Sequence, residues 1–201
     1  MSQAARWSRS PELMSRADTA LLVVDEQEKL VPFIASRAAV VWNVRRLIDG
    51  ARVLGLPVAA TEQYPRGLGA TVPELAVRLG EIPSKLTFSC LGCPAIFERW
   101  RSEGRYKILV AGIEAHVCVQ QTVMDLLAEG FRVYVAVDAV GSRFGIDCRT
   151  ALARMDSAGA TLTTTEAALF EWCEVAGTPE FKSISALVRE PPPSEQEAGP
   201  G

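Results

Sequence analysis

Histidine is nearly missing from this chain: its 201 residues contain one, His116. Catalytic zinc sites draw on two or three histidines, or on cysteines with them. A histidine-built zinc centre is therefore not expected, nor is any other metal or cofactor. Cys90 and Cys93 form a CLGC pair, but no second CxxC completes a structural zinc site. The pair also lies past a third strand rather than at the helix start that a thioredoxin-like motif wants, so the two read as ordinary buried or half-buried thiols. Positive charge is in short supply as well. Lys and Arg number 21 against 24 Asp and Glu, a net charge of −3, which offers no basic field for nucleic acid and no polybasic patch for a membrane surface. A small neutral or polar substrate fits this balance better than a polyanion. No apolar run approaches the roughly 20 residues of a membrane-spanning helix, and the opening MSQAARWSRSPELMSRAD lacks the apolar core of a secretory signal. Five cysteines, an odd number, then read as reduced thiols of a cytoplasmic protein and not as a disulfide framework.

What is present is an ordinary globular composition, 48% apolar and 22% charged, in a length suited to one domain. Residues 1–17 read as a loose polar arm. The segment EPPPSEQEAGPG, 190–201, reads as a disordered tail rich in proline, glycine and acid. Between them, 18–189 forms one domain in which short apolar runs alternate with amphipathic stretches. Strands are expected at 19–25, 57–62, 82–88, 106–112 and 131–138, with a short sixth near 159–163. Helices are expected at 37–54, briefly after Pro73, and at 94–103, 117–130 and 147–158, then from Thr164 or Thr165 to 172 and over 181–190. This alternation predicts an α/β fold: a three-layer αβα sandwich around a mostly parallel, about six-stranded, doubly wound sheet.

Such sheets bind ligands beyond the carboxyl ends of their strands, which turns the polar residues there into candidates. Asp25, Glu62, Gln63, Tyr64, Glu114, Asp138 and Ser142 all fall at or just past expected strand ends, although for any one of them taken singly a helix cap or a solvated loop position is the favoured reading. Cys118 has the best setting of the five thiols, opening the helix after the fourth strand. Free N–H groups and the positive dipole end there favour thiolate and could receive an oxyanion. Placement alone leaves this even with an ordinary small buried cysteine. His116 is a poor partner for it, because residues two apart on a helix do not face one another. A base and a positive charge must then come from elsewhere. Asp25 can be the base if partly buried, and Lys85 can supply the charge unless it is a plain surface lysine.

Three segments carry a resemblance: LLVVDEQEKL with Asp25, SKLTFS with Lys85, and LVAGIEAHVCVQQTVMDLLAEGF with Cys118. Together they resemble the isochorismatase-like cysteine hydrolases. TEQYPRGLGATVPEL, VDAVGSR and TTTEAALFEW look like the subgroup named for isochorismatase domain-containing proteins. The resemblance implies that Cys118 is a nucleophile, Asp25 its base and Lys85 their electrostatic partner, with amide, ureido or ester bonds cleaved through a thioester. It also implies a cis peptide at His116–Val117, with the Val117 and Cys118 N–H groups facing the oxyanion, and assembly as a homo-oligomer, dimer or larger. Two departures narrow it. TEQYPRGLG has no histidine where nicotinamidase-type members place metal ligands, and members that cleave a vinyl ether lack the nucleophilic cysteine. A non-catalytic binding or scaffold protein on the same fold is the alternative, and a nucleotide-binding reading of RGLGAT lacks both GxGxxG and a P-loop lysine. Cys118 is further expected to have a lowered pKa and to be the one rapidly alkylated thiol.

Overall fold

The computed structural model describes residues 8–193; most of the expected tail, from 194 on, and the first seven residues of the expected arm lie outside them. Six strands occur among these described residues: β1 (Thr19–Val24), β2 (Val58–Gln63), β3 (Ser84–Lys85), β4 (Lys107–Ile113), β5 (Arg132–Gly141) and β6 (Thr161–Thr163). Around them run α1 (Arg37–Leu54), α2 (Pro65–Leu68), α3 (Pro73–Ala76), α4 (Pro94–Ser102), α5 (Gln120–Ala128), α6 (Gly145–Ser157), α7 (Thr165–Cys173) and α8 (Pro179–Val188). The sheet order is β3-β2-β1-β4-β5-β6, and each neighbouring pair is parallel.

β1 and β4 are buried at every residue, as strands covered on both faces must be. Their side chains alternate between two cores. Leu21, Val23, Leu109 and Ala111 pack with Leu47 and Ile48 of α1, Leu169 and Trp172 of α7 and Ile184 of α8. Leu22, Val24, Ile108 and Val110 pack with Trp100 of α4, Val123 and Leu126 of α5 and Met155 of α6. This is the three-layer sandwich expected from the sequence. Among the described residues, no helix is long and apolar enough to cross a membrane.

Two differences have plain causes. The part of the expected loose arm that is described is tied to the domain. Met14 is fully buried and its N–H donates to Glu171, while Lys107 Nζ, at the start of β4, donates to the Leu13 carbonyl at 2.7 Å and to Asp18 at 2.9 Å. The expected strand over 82–88 shrinks to two residues, because the carbonyls of Thr87 and Phe88 turn inward to accept from Lys85 Nζ.

The strand order reverses between β1 and β4, and this switch point is where a doubly wound sheet opens its crevice. The two strands approach closely there. Gly112, near the end of β4, has φ 112°, and a Cβ on it would stand 2.2 Å from the Val24 carbonyl oxygen. Only glycine fits beside the last residue of β1.

Candidate active site

Asp25 follows β1 directly. Strict alternation would send it to the α1 face, but its φ of 50° breaks the period. Its carboxylate is buried and accepts from Thr61 Oγ1 at 2.8 Å and Lys85 Nζ at 2.7 Å, and the Cys118 thiol lies near enough to help hold its charge. Lys85 is no surface lysine. Its ammonium is buried and also donates to Gln63 Oε1 at 2.9 Å and to the carbonyls of Thr87 at 3.3 Å and Phe88 at 2.8 Å. Four acceptors surround a group with three protons, so the charge is held in place and has nothing left for a ligand.

Cys118 sits at the switch point, buried in the core beneath α4 and α5. The expected continuous helix over 117–130 is divided: Ala115–Val119 form one π-helical turn and α5 starts at Gln120. The cis peptide lies at Ile113–Glu114 and not at His116–Val117, since β4 runs on to Ile113 and the chain turns there. Within that turn the Val117 N–H donates to the Glu114 carbonyl, so this amide is already engaged.

The electrostatics correct one expectation. Cys118 has a raised pKa, not a lowered one: burial is the largest cause and the Asp25 charge adds to it, against the pull of Lys85. Burial outweighs the helix end on which the expected lowering rested. The resting group is therefore a thiol. Burial likewise raises Asp25, opposed by Lys85 and by the hydrogen bonds from Lys85, Cys118 and Thr61. For Lys85, burial works against the ammonium, and the Asp25 charge leads the influences that overcome it and hold the pKa above its ordinary value. A carboxyl made more basic, beside a thiol, can take that thiol's proton when an electrophile arrives.

The other candidates divide. Gln63 joins the site through Lys85, and its Nε2 donates to the Leu86 carbonyl. Glu62 turns to the neighbouring loop, accepting from the Thr71 N–H at 2.7 Å and Oγ1 at 2.8 Å. Tyr64 is half exposed, with its ring over Gly67. Glu114 pairs with Arg143 Nε at 3.1 Å, and His116 Nδ1 shares a 3.0 Å hydrogen bond with Ser142. These two contacts join the ends of β4 and β5, and neither reaches Asp25, Lys85 or Cys118. Asp138 accepts from Thr165 at the start of α7. Among the described residues, no three or more His, Cys, Asp or Glu gather as a metal-binding group.

Several residues that hold the site were not among the site candidates from the sequence, although Cys90 was read there as a buried thiol. Gln27 Nε2 donates to the carbonyls of Gln63 and Gly69, and its Oε1 accepts from the Gln63 N–H, so one amide fastens the loops after β1 and β2. Thr122 Oγ1 donates to the Cys118 carbonyl and accepts from the Cys90 N–H. Cys90 is a buried free thiol 3.3 Å from Thr61 Oγ1, and burial pushes its pKa up to about 11. Their only signal in the sequence is position, within or beside the segments that carry Asp25, Lys85 and Cys118.

A family model, the isochorismatase domain, matches residues 19–167, which span all three of those residues. Isochorismatase domain-containing protein 2A of Mus musculus is 40% identical over 174 residues, 86% of this chain and 84% of that protein. Among solved structures, the MAR1 ribonuclease of Caenorhabditis elegans is similar with a TM-score of 0.84 and 40% identity, over 92% of this chain and 96% of that one. YcaC from Pseudomonas aeruginosa, solved with hexane-2,5-diol and covalent acrylamide, has a TM-score of 0.78 and 26% identity, over 90% and 93% of the two chains. By sequence over most of its length and by fold, this chain belongs to the isochorismatase domain family.

Proposed function

We propose that this protein is a hydrolase of small amides, ureido compounds or esters, working through a thioester on Cys118. The observation that carries this reading is the buried Asp25–Lys85 pair, 2.7 Å apart, with the Cys118 thiol beside the same carboxylate. Asp25 takes the thiol proton as Cys118 Sγ attacks the carbonyl carbon. It returns that proton to the departing amine or alcohol, leaving a thioester. Water then loses a proton to Asp25 as it attacks the thioester, and the thiolate leaves and is reprotonated. Lys85 holds the charge of Asp25 throughout. No cofactor takes part. The covalent acrylamide on the Pseudomonas aeruginosa protein fits a family site that reacts with electrophiles.

The test is a panel of small amides, ureido compounds and esters, scored for ammonia or alcohol release. Turnover of at least one compound is expected to fall on the order of 10³-fold or more in Cys118→Ala, and acid-quenched wild type should carry the acyl mass on the peptide containing Cys118. Undiminished turnover in Cys118→Ala sinks the mechanism.

A second reading, cleavage of RNA, draws on the name of the Caenorhabditis elegans relative. Phosphodiester backbones are held by exposed cations, whereas the net charge is −3 and Lys85 is fully engaged. RNA cleavage that survives Cys118→Ala would favour it over the thioester reading.

The proposal includes self-association. Phe33, Tyr64, Leu86, Phe88, Phe144 and Ile146 are all exposed and all lie past the carboxyl ends of strands. Exposed apolar side chains at this edge of the sheet suit an interaction face. Light scattering is expected to give a dimer or larger, and Phe144→Asp should shift it toward monomer. A monomeric wild type contradicts this part.

A further inference from the structure

Glu26 stands beside the site and has no part in the steps above. Its residue is 1% exposed, and neither carboxyl oxygen has a hydrogen-bond partner among the described residues. The residues around it leave it little freedom. Asp25 N–H donates to the Thr61 carbonyl, Gln27 N–H donates to the Asp25 carbonyl, and the Glu26 carbonyl accepts from Val72 N–H at 2.8 Å. The Gln27 side chain clamps the next position to β2. Among the described residues, no cation acts on Glu26. Lys85 is taken by Asp25, Glu62 across the adjoining loop is held by Thr71, and Asp25 is the ionisable group that acts on Glu26. An uncompensated buried carboxylate is far costlier than a buried neutral acid.

We propose that Glu26 is a positioning residue kept uncharged beside Asp25, and that losing its proton at alkaline pH displaces the 25–27 loop and switches the site off. The inference rests on the reading of Asp25 and Cys118 given above. The ionised carboxylate must reach water, and it can do so only by dragging the backbone that sets Asp25 against Lys85 and Cys118. Burial, reinforced by the Asp25 charge, raises the Glu26 pKa to about 8, so the loss falls within an accessible range of pH.

Two measurements test this. In ¹³C-carboxyl NMR, Glu26, assigned by its absence in Glu26→Gln, should titrate near pH 8. The Asp25 carboxyl carbon and the Gln27 side-chain amide should shift with the same midpoint. In parallel, hydrolysis of 4-nitrophenyl acetate, corrected by the Cys118→Ala rate, should fall about tenfold in wild type relative to Glu26→Gln between pH 7 and 9, as one proton with that pKa requires. A Glu26 midpoint below pH 6, Asp25 and Gln27 signals that ignore the titration, or identical pH profiles for wild type and Glu26→Gln would each overturn the proposal. Full esterase activity in Cys118→Ala would instead remove the hydrolase reading. The NMR titration would still decide whether Glu26 keeps its proton and moves Asp25.

Discussion

Asp25→Asn is expected to lower turnover by on the order of 10²–10⁴-fold, the range a positioned general base contributes, while hardly changing the shape of the side chain. It should also cost about 3–5 kcal/mol of stability, because the Lys85 ammonium then stays buried without an anion. The carbonyls of Thr87 and Phe88 and Gln63 Oε1 still accept from it, but they carry no charge. Pairing the change with Lys85→Met separates the two effects. The double variant removes both buried charges and should recover much of the stability lost by Asp25→Asn, because residues in contact are not additive. Its turnover should stay low, since the base is still missing. Urea unfolding and steady-state rates on wild type, the two single variants and the double variant read both quantities. Turnover near wild type in Asp25→Asn would remove Asp25 as the base.

The second large effect is on stability against pH. Glu26 has a raised pKa in the fold, from an ordinary 4.5 to about 8, through burial and the Asp25 charge. Between those values the folded protein binds a proton that the unfolded chain releases, so stability falls as pH rises. The contribution is fully present below about pH 4.5 and is lost once pH has risen through about 8, which amounts to on the order of 5 kcal/mol at about 1.4 kcal/mol per unit. Asp25, also raised by burial, acts with the same sign. Asp18 acts with the opposite sign. Burial opposes its ionisation, yet hydrogen bonds from Lys107, Thr19 and Ser15 hold its pKa below the usual range, so its share is lost as pH falls. Urea midpoints from pH 5 to 9 are expected to decline for wild type and to decline much less for Glu26→Gln. A wild-type curve that rises over that range would contradict the burial of an uncharged Glu26.

Much of this architecture was open to reading in the chain. The apolar run TALLVV forms β1, and the helix expected over 37–54 spans Arg37–Leu54. Asp25, Lys85 and Cys118 stood out because strand ends converge on one edge of a parallel sheet, and the resemblance put the three in order. What could not be read was whatever depends on depth or on a partner far along the chain. Glutamate after a strand looks solvated, and only the folded loop encloses Glu26. The Cys118 pKa was misjudged for the same reason. Gln27 and Gln63, 36 residues apart, or Cys90 and Thr122, 32 apart, show no spacing that announces their hydrogen bonds. Arg9, Leu13 and Met14 looked like part of a loose arm because their partners, Glu171 and Lys107, lie on the far side of the sequence.

The two outermost strands of the sheet are its shortest, two residues in β3 and three in β6. A strand that ends so soon offers few unpaired N–H and C=O groups for another chain to add to. Continuing the ladder from one molecule into the next therefore has little purchase on these two strands, and so has the edge-to-edge stacking that leads toward fibres. Side chains of loops and helices then offer copies the easier meeting ground, where contact can be made and released without unzipping the backbone around Lys85.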